Sequence, residues 1–236
     1  MRPQVLWKIT PHLANWLASL ATDNPLRTAL IGPNTFILEL GCGISGLTAL
    51  ALGPKVARYV LTDQPYVSRL VAQNLAENLA ADANTSASGK KHKRKSSSSA
   101  APDEATSKIV FTPLDWELDS PTASLTGSSS VRSFGVVLAC DCIYNDALIK
   151  PFVQTCVEAC TLREVDDQPG DGAREPCICL VAQQLRSPDV FGSWLREFGR
   201  SFRVWRVPDE LLSEELKGVA GFVVHLGILK NAAHLE

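Results

Sequence analysis

The residues able to do chemistry stand at the ends of apolar runs. Glu39 follows Phe36-Ile37-Leu38, Asp63 closes R-Y-V-L-T-D, and Asp141 lies in F-G-V-V-L-A-C-D-C-I-Y. After Glu39-Leu40 come three glycines, Gly41, Gly43 and Gly46, in the pattern Gly-x-Gly-x-x-Gly. Glycine suits a tight turn there and lets a bulky ligand lie directly on the backbone. The apolar helix expected over Leu47 to Leu52 begins just beyond and points its unpaired N–H groups at such a ligand. Asp63 falls twenty residues after Gly43, the spacing at which an acid closing a second parallel strand meets a ribose. A helix-capping Asp has a comparable claim in isolation, and the spacing tips the balance toward a ligand. The glycine pattern alone is shared by many nucleotide-binding turns; with a strand before it and a helix after it, it points to a nucleotide-like ligand.

These positions need a parallel sheet. Thr10-Pro11 suits a helix start, Thr as N-cap and Pro at the first helical position, and Leu13, Trp16, Leu17 and Leu20 form its buried stripe. That places Trp7 in a loop or extended segment just ahead. Strands are expected at Phe36 to Leu40, Arg58 to Asp63, Lys108 to Thr112, Phe134 to Tyr144 and Cys177 to Ala182. Helices are expected at Val67 to Leu79, Asn145 to Thr161 and Asp189 to Phe198. The apolar run from Phe134 suits the centre of a sheet covered on both faces. Phe202 to Val207 and Phe222 to Leu229 have no long crossover helix between them and pair most simply as an antiparallel unit.

Composition narrows the class. The 236 residues are 45% apolar, enough for a real core, and the net charge of −2 gives no global reason to expect nucleic acid or membrane as a partner. No apolar run approaches the roughly 20 residues of a membrane span, and the N-terminus lacks the features of a signal peptide. A soluble chain is expected, cytoplasmic with nuclear entry open, and monomeric. Seven cysteines without a Cys-x-x-Cys read as small buried hydrophobes; no metal site and no disulfide framework is expected. Residues 82–107 are rich in Ser, Ala, Thr and Lys and read as a disordered insertion. Its basic run, residues 90–95, is equally a nuclear-import or RNA-contacting signal and a solvated loop.

Glu39-x-Gly41-x-Gly43, an acid at the second strand, five alternating units and a terminal antiparallel pair resemble the Rossmann-like seven-stranded methyltransferase fold, an α/β class. Its members bind S-adenosylmethionine (SAM) on the first glycine turn. A nicotinamide domain would continue with a sixth parallel strand and a substrate domain, for which little chain is left, and it carries an apolar or small residue in place of Glu39. Val5-Leu6-Trp7, Leu114-Asp115-Trp116 and Asp141-Cys142-Ile143-Tyr144 resemble, in order and spacing, the signatures of methyltransferase family 16, protein-lysine methyltransferases with an Asp/Glu-x-x-Tyr/Phe motif. V-L-W-K-I-T-P and D-C-I-Y-N-D are most similar to the fungal ribosomal-protein lysine methyltransferases of that group.

The resemblance implies roles. Gly41, Cys42 and Gly43, with Glu39 ahead of them, would wrap the amino-acid end of SAM. Asp63 would hold the ribose, Trp116 would flank the adenine, and Cys140 and Trp7 would complete the pocket. Asp141 would orient the incoming ammonium, and Tyr144 would pack the lysine stem or hydrogen-bond its nitrogen. Asp115 is divided between contacting the adenine amino group and a plain turn role. Family members carry a longer segment ahead of the Val-x-Trp element, where this sequence has Met1 to Gln4; a chain that binds SAM and methylates poorly is expected if that segment closes the acceptor site. The expectation is one SAM-dependent domain over residues 1–236 that methylates a lysine of a large-subunit ribosomal protein. A methyltransferase for another residue or a small molecule, and an inactive SAM-binding module, are the alternatives.

Overall fold

The computed structural model describes residues 6–87, 108–165 and 175–230. Val5, the basic run at 90–95 and the rest of the expected insertion from 88 lie outside them. The elements follow in order as α1 (Ile9–Ala18), α2 (Leu26–Leu30), β1 (Phe36–Leu40), α3 (Leu47–Leu52), β2 (Arg58–Asp63), α4 (Ser68–Ala87) and β3 (Ile109–Pro113). Next come β4 (Val136–Cys140), α5 (Ile149–Val165), β5 (Ile178–Gln184), α6 (Pro188–Ser201), β6 (Phe202–Arg206) and β7 (Phe222–Leu229). One sheet of seven strands runs β3-β2-β1-β4-β5-β7-β6. The first five strands pair in parallel, and β7 is antiparallel to both its neighbours, β5 and β6.

The two faces of the sheet carry two cores. Ile37, Tyr59, Leu61, Val136, Leu138 and Leu180 pack under α1, α3 and α4. The intervening residues Leu38, Leu40, Val60, Val137, Ala139 and Val181 pack under α5 and α6 with Phe152, Trp194 and Phe198. Alternation on a strand buried on both sides explains why the central strands read as unbroken apolar runs. Strand order reverses between β1 and β4, and a crevice at the carboxyl ends of parallel strands opens there.

Several boundaries differ from expectation. The first helix begins at Ile9, so Thr10 is not its N-cap: Lys8 holds that position without a side-chain cap, and the Thr10 hydroxyl lies 3.5 Å from Cys140 Sγ. Pro11 remains in the first turn, where no N–H is needed. The strand expected to reach Tyr144 stops at Cys140, because Asp141 has φ 59° and turns the chain out of the sheet. Helix α4 runs on to Ala87, so the first residues of the segment expected to be disordered are helical. The short helix α2 was not foreseen.

The seven cysteines are all unpaired and buried. Cys156 and Cys160 of α5 share one buried core with Cys177 and Cys179 at β5, and burial pushes the Cys156 thiol above its ordinary pKa. Protonated thiols in an apolar layer are poor metal ligands. Among the described residues no group of three His, Cys, Asp or Glu is placed to hold a metal ion.

Candidate functional site

The glycine turn after β1 is held from three sides. Cys42 N–H donates to the Thr62 carbonyl of β2 at 3.0 Å, and Gly43 N–H donates to Asp63 Oδ2 at 2.8 Å. From α4, Asn74 Nδ2–H donates to the Ile44 carbonyl at 2.7 Å. Cys142 fills the space beneath, its Sγ 3.1 Å from the Leu40 carbonyl. The turn is therefore fixed before any ligand arrives. Asn74→Ala is expected to lower stability by about 1 kcal/mol, the net worth of one such bond, and to speed amide exchange at Gly43 to Gly46 in hydrogen-exchange mass spectrometry. Unchanged exchange there would mean the loop is held by its other contacts alone.

Above the turn is a small recess open to solvent, lined by Leu6, Trp7, Thr10, Glu39, Gly41 to Ser45 and Cys140. The structure thus gathers Trp7, Glu39, Gly41, Cys42, Gly43 and Cys140, all expected together, and adds Thr10, Ile44 and Ser45. Glu39 shares a strand face with Ile37 and sits in the α1/α3 layer, 3% exposed, with Tyr59 hydroxyl donating to its Oε2 at 2.7 Å. Burial lifts its pKa from 4.5 to about 7, the Tyr59 bond pulls the other way, and the nearby Asp63 charge adds to the rise.

Asp63 lies beside the recess rather than in its wall. Its two oxygens accept from Gly43 and Gln64 N–H, at 2.8 and 2.7 Å. A carboxylate has about four acceptor positions, so a second pair remains for hydroxyl groups. Burial raises its pKa as well. Trp116 packs on Phe152 with ring centroids 5.1 Å apart and backs the turn, 3.0 Å from where a Cβ on Gly41 would stand. Its indole N–H is buried without a hydrogen-bond partner. Asp115 serves its own turn, accepting from Glu117 N–H at 2.9 Å.

The second half of the site was only partly foreseen. Asp141, 2% exposed, directs its carboxylate at Arg186: Nη1 donates to Oδ1 at 2.9 Å, and Nη2 pairs with Oδ2. Gln184 N–H also donates to Oδ1 at 3.1 Å, and Gln184 Oε1 accepts from Arg186 Nη2 at 2.9 Å. The Arg186 guanidinium carbon lies 4.9 Å from the Trp7 ring centroid, a cation–π distance. Tyr144 also stacks on Trp7, with ring centroids 6.5 Å apart. Asp141 was expected to line the acceptor site and orient an incoming ammonium; in the structure its carboxylate is paired with Arg186, a cation of the chain. Arg186, Gln184 and Asn74 were missed. Asn74 left a trace, a polar residue amid the apolar stripe of its helix; Arg186 left none, being 45 residues from its partner.

Sheet order, glycine turn and a site at the β1/β4 reversal define the Rossmann-like methyltransferase fold. Among solved structures the chain is similar to the N-methyltransferase NodS of Bradyrhizobium japonicum bound to S-adenosylhomocysteine, at TM-score 0.53 and 10% identity, over 95% of this chain and 92% of that one. It is also similar to a predicted O-methyltransferase of Agrobacterium tumefaciens, at TM-score 0.50 and 14% identity, over 93% and 81%.

Among curated proteins the chain is similar to ribosomal lysine N-methyltransferase 5 of Zygosaccharomyces rouxii, 34% identical over 81% of this chain and 62% of that protein. The Candida glabrata protein of the same name is 27% identical, over 84% and 64%. The chain thus spans less than two thirds of the length of these two relatives. A further match, 28% identical over 85% of this chain, covers 38% of a protein named diaminohydroxyphosphoribosylamino-pyrimidine deaminase in Schizosaccharomyces pombe. No family model matches the sequence.

Proposed function

We propose that the chain is a SAM-dependent protein-lysine N-methyltransferase and that its substrate is a ribosomal protein, a large-subunit protein being the first candidate. The observation that carries this reading is the adjoining of a backbone cradle and a cation-binding acid–aromatic cluster, joined by Trp7. The names of the fungal relatives support the acceptor class, and the fold supports the donor. Seven unpaired thiols support a reducing, intracellular setting.

The residues fit the cofactor. Gly43 lines the recess, and a Cβ built on it meets nothing within 4 Å, so the turn leaves open space beside its backbone there. Gly41, Cys42 and Gly43 would hold the amino-acid end, Asp63 the ribose hydroxyls through its spare lone pairs, and Trp116 the adenine, with its unpartnered indole N–H nearby. Trp7 and Cys140 close the recess, and Glu39 places a carboxyl group close to the cationic end. When bound, SAM supplies a methyl group on a positively charged sulfur.

The chain's own part is alignment and desolvation. A lysine must be neutral to attack, and with an ordinary pKa of about 10.4 its deprotonation at pH 7 costs about 4.6 kcal/mol. Trp7 and Tyr144 offer an aromatic wall that strips water from the amine and lowers that cost. Asp141 draws the ammonium in and orients it, while the proton leaves to water.

Calorimetry is expected to show SAM binding and no NAD binding, and labelled SAM to mark a single protein band in a ribosomal extract. Asp141→Ala is expected to abolish that band while leaving SAM affinity close to that of the unmodified chain. NAD binding in place of SAM would overturn the cofactor assignment, label only in small molecules would overturn the acceptor class, and collapse of SAM affinity in the variant would move Asp141 to the donor side.

A further inference from the structure

The cation on Asp141 is a residue of the chain itself, and its setting is the one a lysine substrate would need. Its charge rests on a buried carboxylate, its guanidinium carbon lies 4.9 Å from the Trp7 ring centroid, and Tyr144 stacks on the same indole. Asp141 does not depend on Arg186 for its position. Its own N–H donates to the Ala182 carbonyl at 2.8 Å, and Gln184 N–H anchors Oδ1. The carboxylate is thus a preformed cation receptor, with Arg186 as one guest. The Arg186 side chain is 36% exposed where that of Asp141 is 1% exposed, so it can leave for water while the acid cannot.

We propose that Arg186 is a built-in competitor for the acceptor subsite, holding the place on Asp141 and Trp7 that the substrate's ammonium takes. The proposal rests on the lysine-methyltransferase reading above. A guanidinium is suited to this task because it keeps its proton at any physiological pH, so it has no free lone pair with which to accept a methyl group. It also sets a specificity rule. Leaving a buried carboxylate unpaired is strongly unfavourable, so Arg186 departs only as another cation arrives. Neutral and acidic side chains cannot make that exchange and are refused; long cationic ones can.

Two measurements test this. In the unmodified chain with 15N-labelled arginine, n-butylammonium, a lysine side-chain mimic, is expected to shift the Arg186 Nε–H resonance, while n-butanol at equal concentration leaves it in place. Second, Arg186→Lys retains the charge on Asp141 and puts a reactive amine in the same place. With SAM and no extract, that amine, after losing its proton to water, is expected to form an N–C bond as the methyl–sulfur bond breaks and its electron pair stays on sulfur. Tandem mass spectrometry would find methyl groups on the introduced side chain. A methylated side chain, or an amine-specific shift of Arg186, supports the competitor role. If the variant binds SAM and labels the extract but stays unmethylated itself, and butylammonium leaves Arg186 unmoved, the role is overturned and the methyltransferase reading stands. If neither chain binds SAM or transfers a methyl group, both fall.

Discussion

Alanine at Gly43 and alanine at Gly41 are expected to fail in opposite ways. Both residues have left-handed backbone, φ 63° and 67°, which costs an alanine about 1–2 kcal/mol. At Gly41 the added Cβ would also stand 2.8 Å from Cys142 Sγ and 3.0 Å from a Trp116 ring carbon. Cys142 is buried and bonded to the Leu40 carbonyl, so it has little room to yield. Gly41→Ala should therefore lose clearly more stability than Gly43→Ala, with each kcal/mol lowering Tm by about 2–4 °C in a chain of this size. Gly43→Ala meets no neighbour, and Gly43 lines the recess that the ligand would enter. The added methyl group should take space from the ligand and weaken SAM by roughly tenfold or more, ~1.4 kcal/mol. Thermal melts and calorimetry of both variants check this; equal losses in both measurements would contradict it.

Glu39→Gln is expected to stabilise the unliganded chain. The carboxyl titrates near 7 when folded and near 4.5 when unfolded, since burial disfavours its charge. Between those values the folded state holds a proton that the unfolded state has released, so stability is full below pH 4.5 and falls as pH rises toward 7. The loss above pH 7 is about 3 kcal/mol. Glutamine is neutral throughout and can still accept from the Tyr59 hydroxyl, so the variant should keep a flat profile over this window. Urea midpoints of both chains from pH 4.5 to 8 measure it, and parallel profiles would show that Glu39 is ionised in the fold at little cost. The same substitution should weaken SAM, because a cationic ligand favours the ionised acid. The residue is thus kept at a cost to stability, as site residues often are.

What was legible in the sequence follows from how local each feature is. Strands β1 and β2 were read to the residue because an apolar run meets a glycine turn in one and an acid in the other, both short-range signals. The end of β4 was misread because Phe134 to Tyr144 is apolar almost throughout, and only the backbone of Asp141 reveals the break. Aspartate tolerates left-handed φ better than most residues, yet nothing beside it marks this one as using that tolerance. Thr10 was given a local capping role and spends its hydroxyl on Cys140, 130 residues away. Arg186 escaped for the same reason. The glycine turn of the donor half carries its own short-range signal, whereas the pairing of Asp141 with Arg186 in the acceptor half is made only by folding.

The place of β7 gives that division an order in time. Gln184 pairs with Phe222, and Leu185 N–H donates to the Gly221 carbonyl, so the platform beneath Arg186 waits on the last strand of the sheet. The glycine turn, Asp63 and Asn74 lie within the first third of the chain. During synthesis, which proceeds at about 5–20 residues per second, the nascent protein can close its donor cradle while the guard over the acceptor subsite is still untranslated. Trimming from the carboxyl side back through β7 would unmake the halves in reverse, freeing Asp141 and Arg186 from each other first.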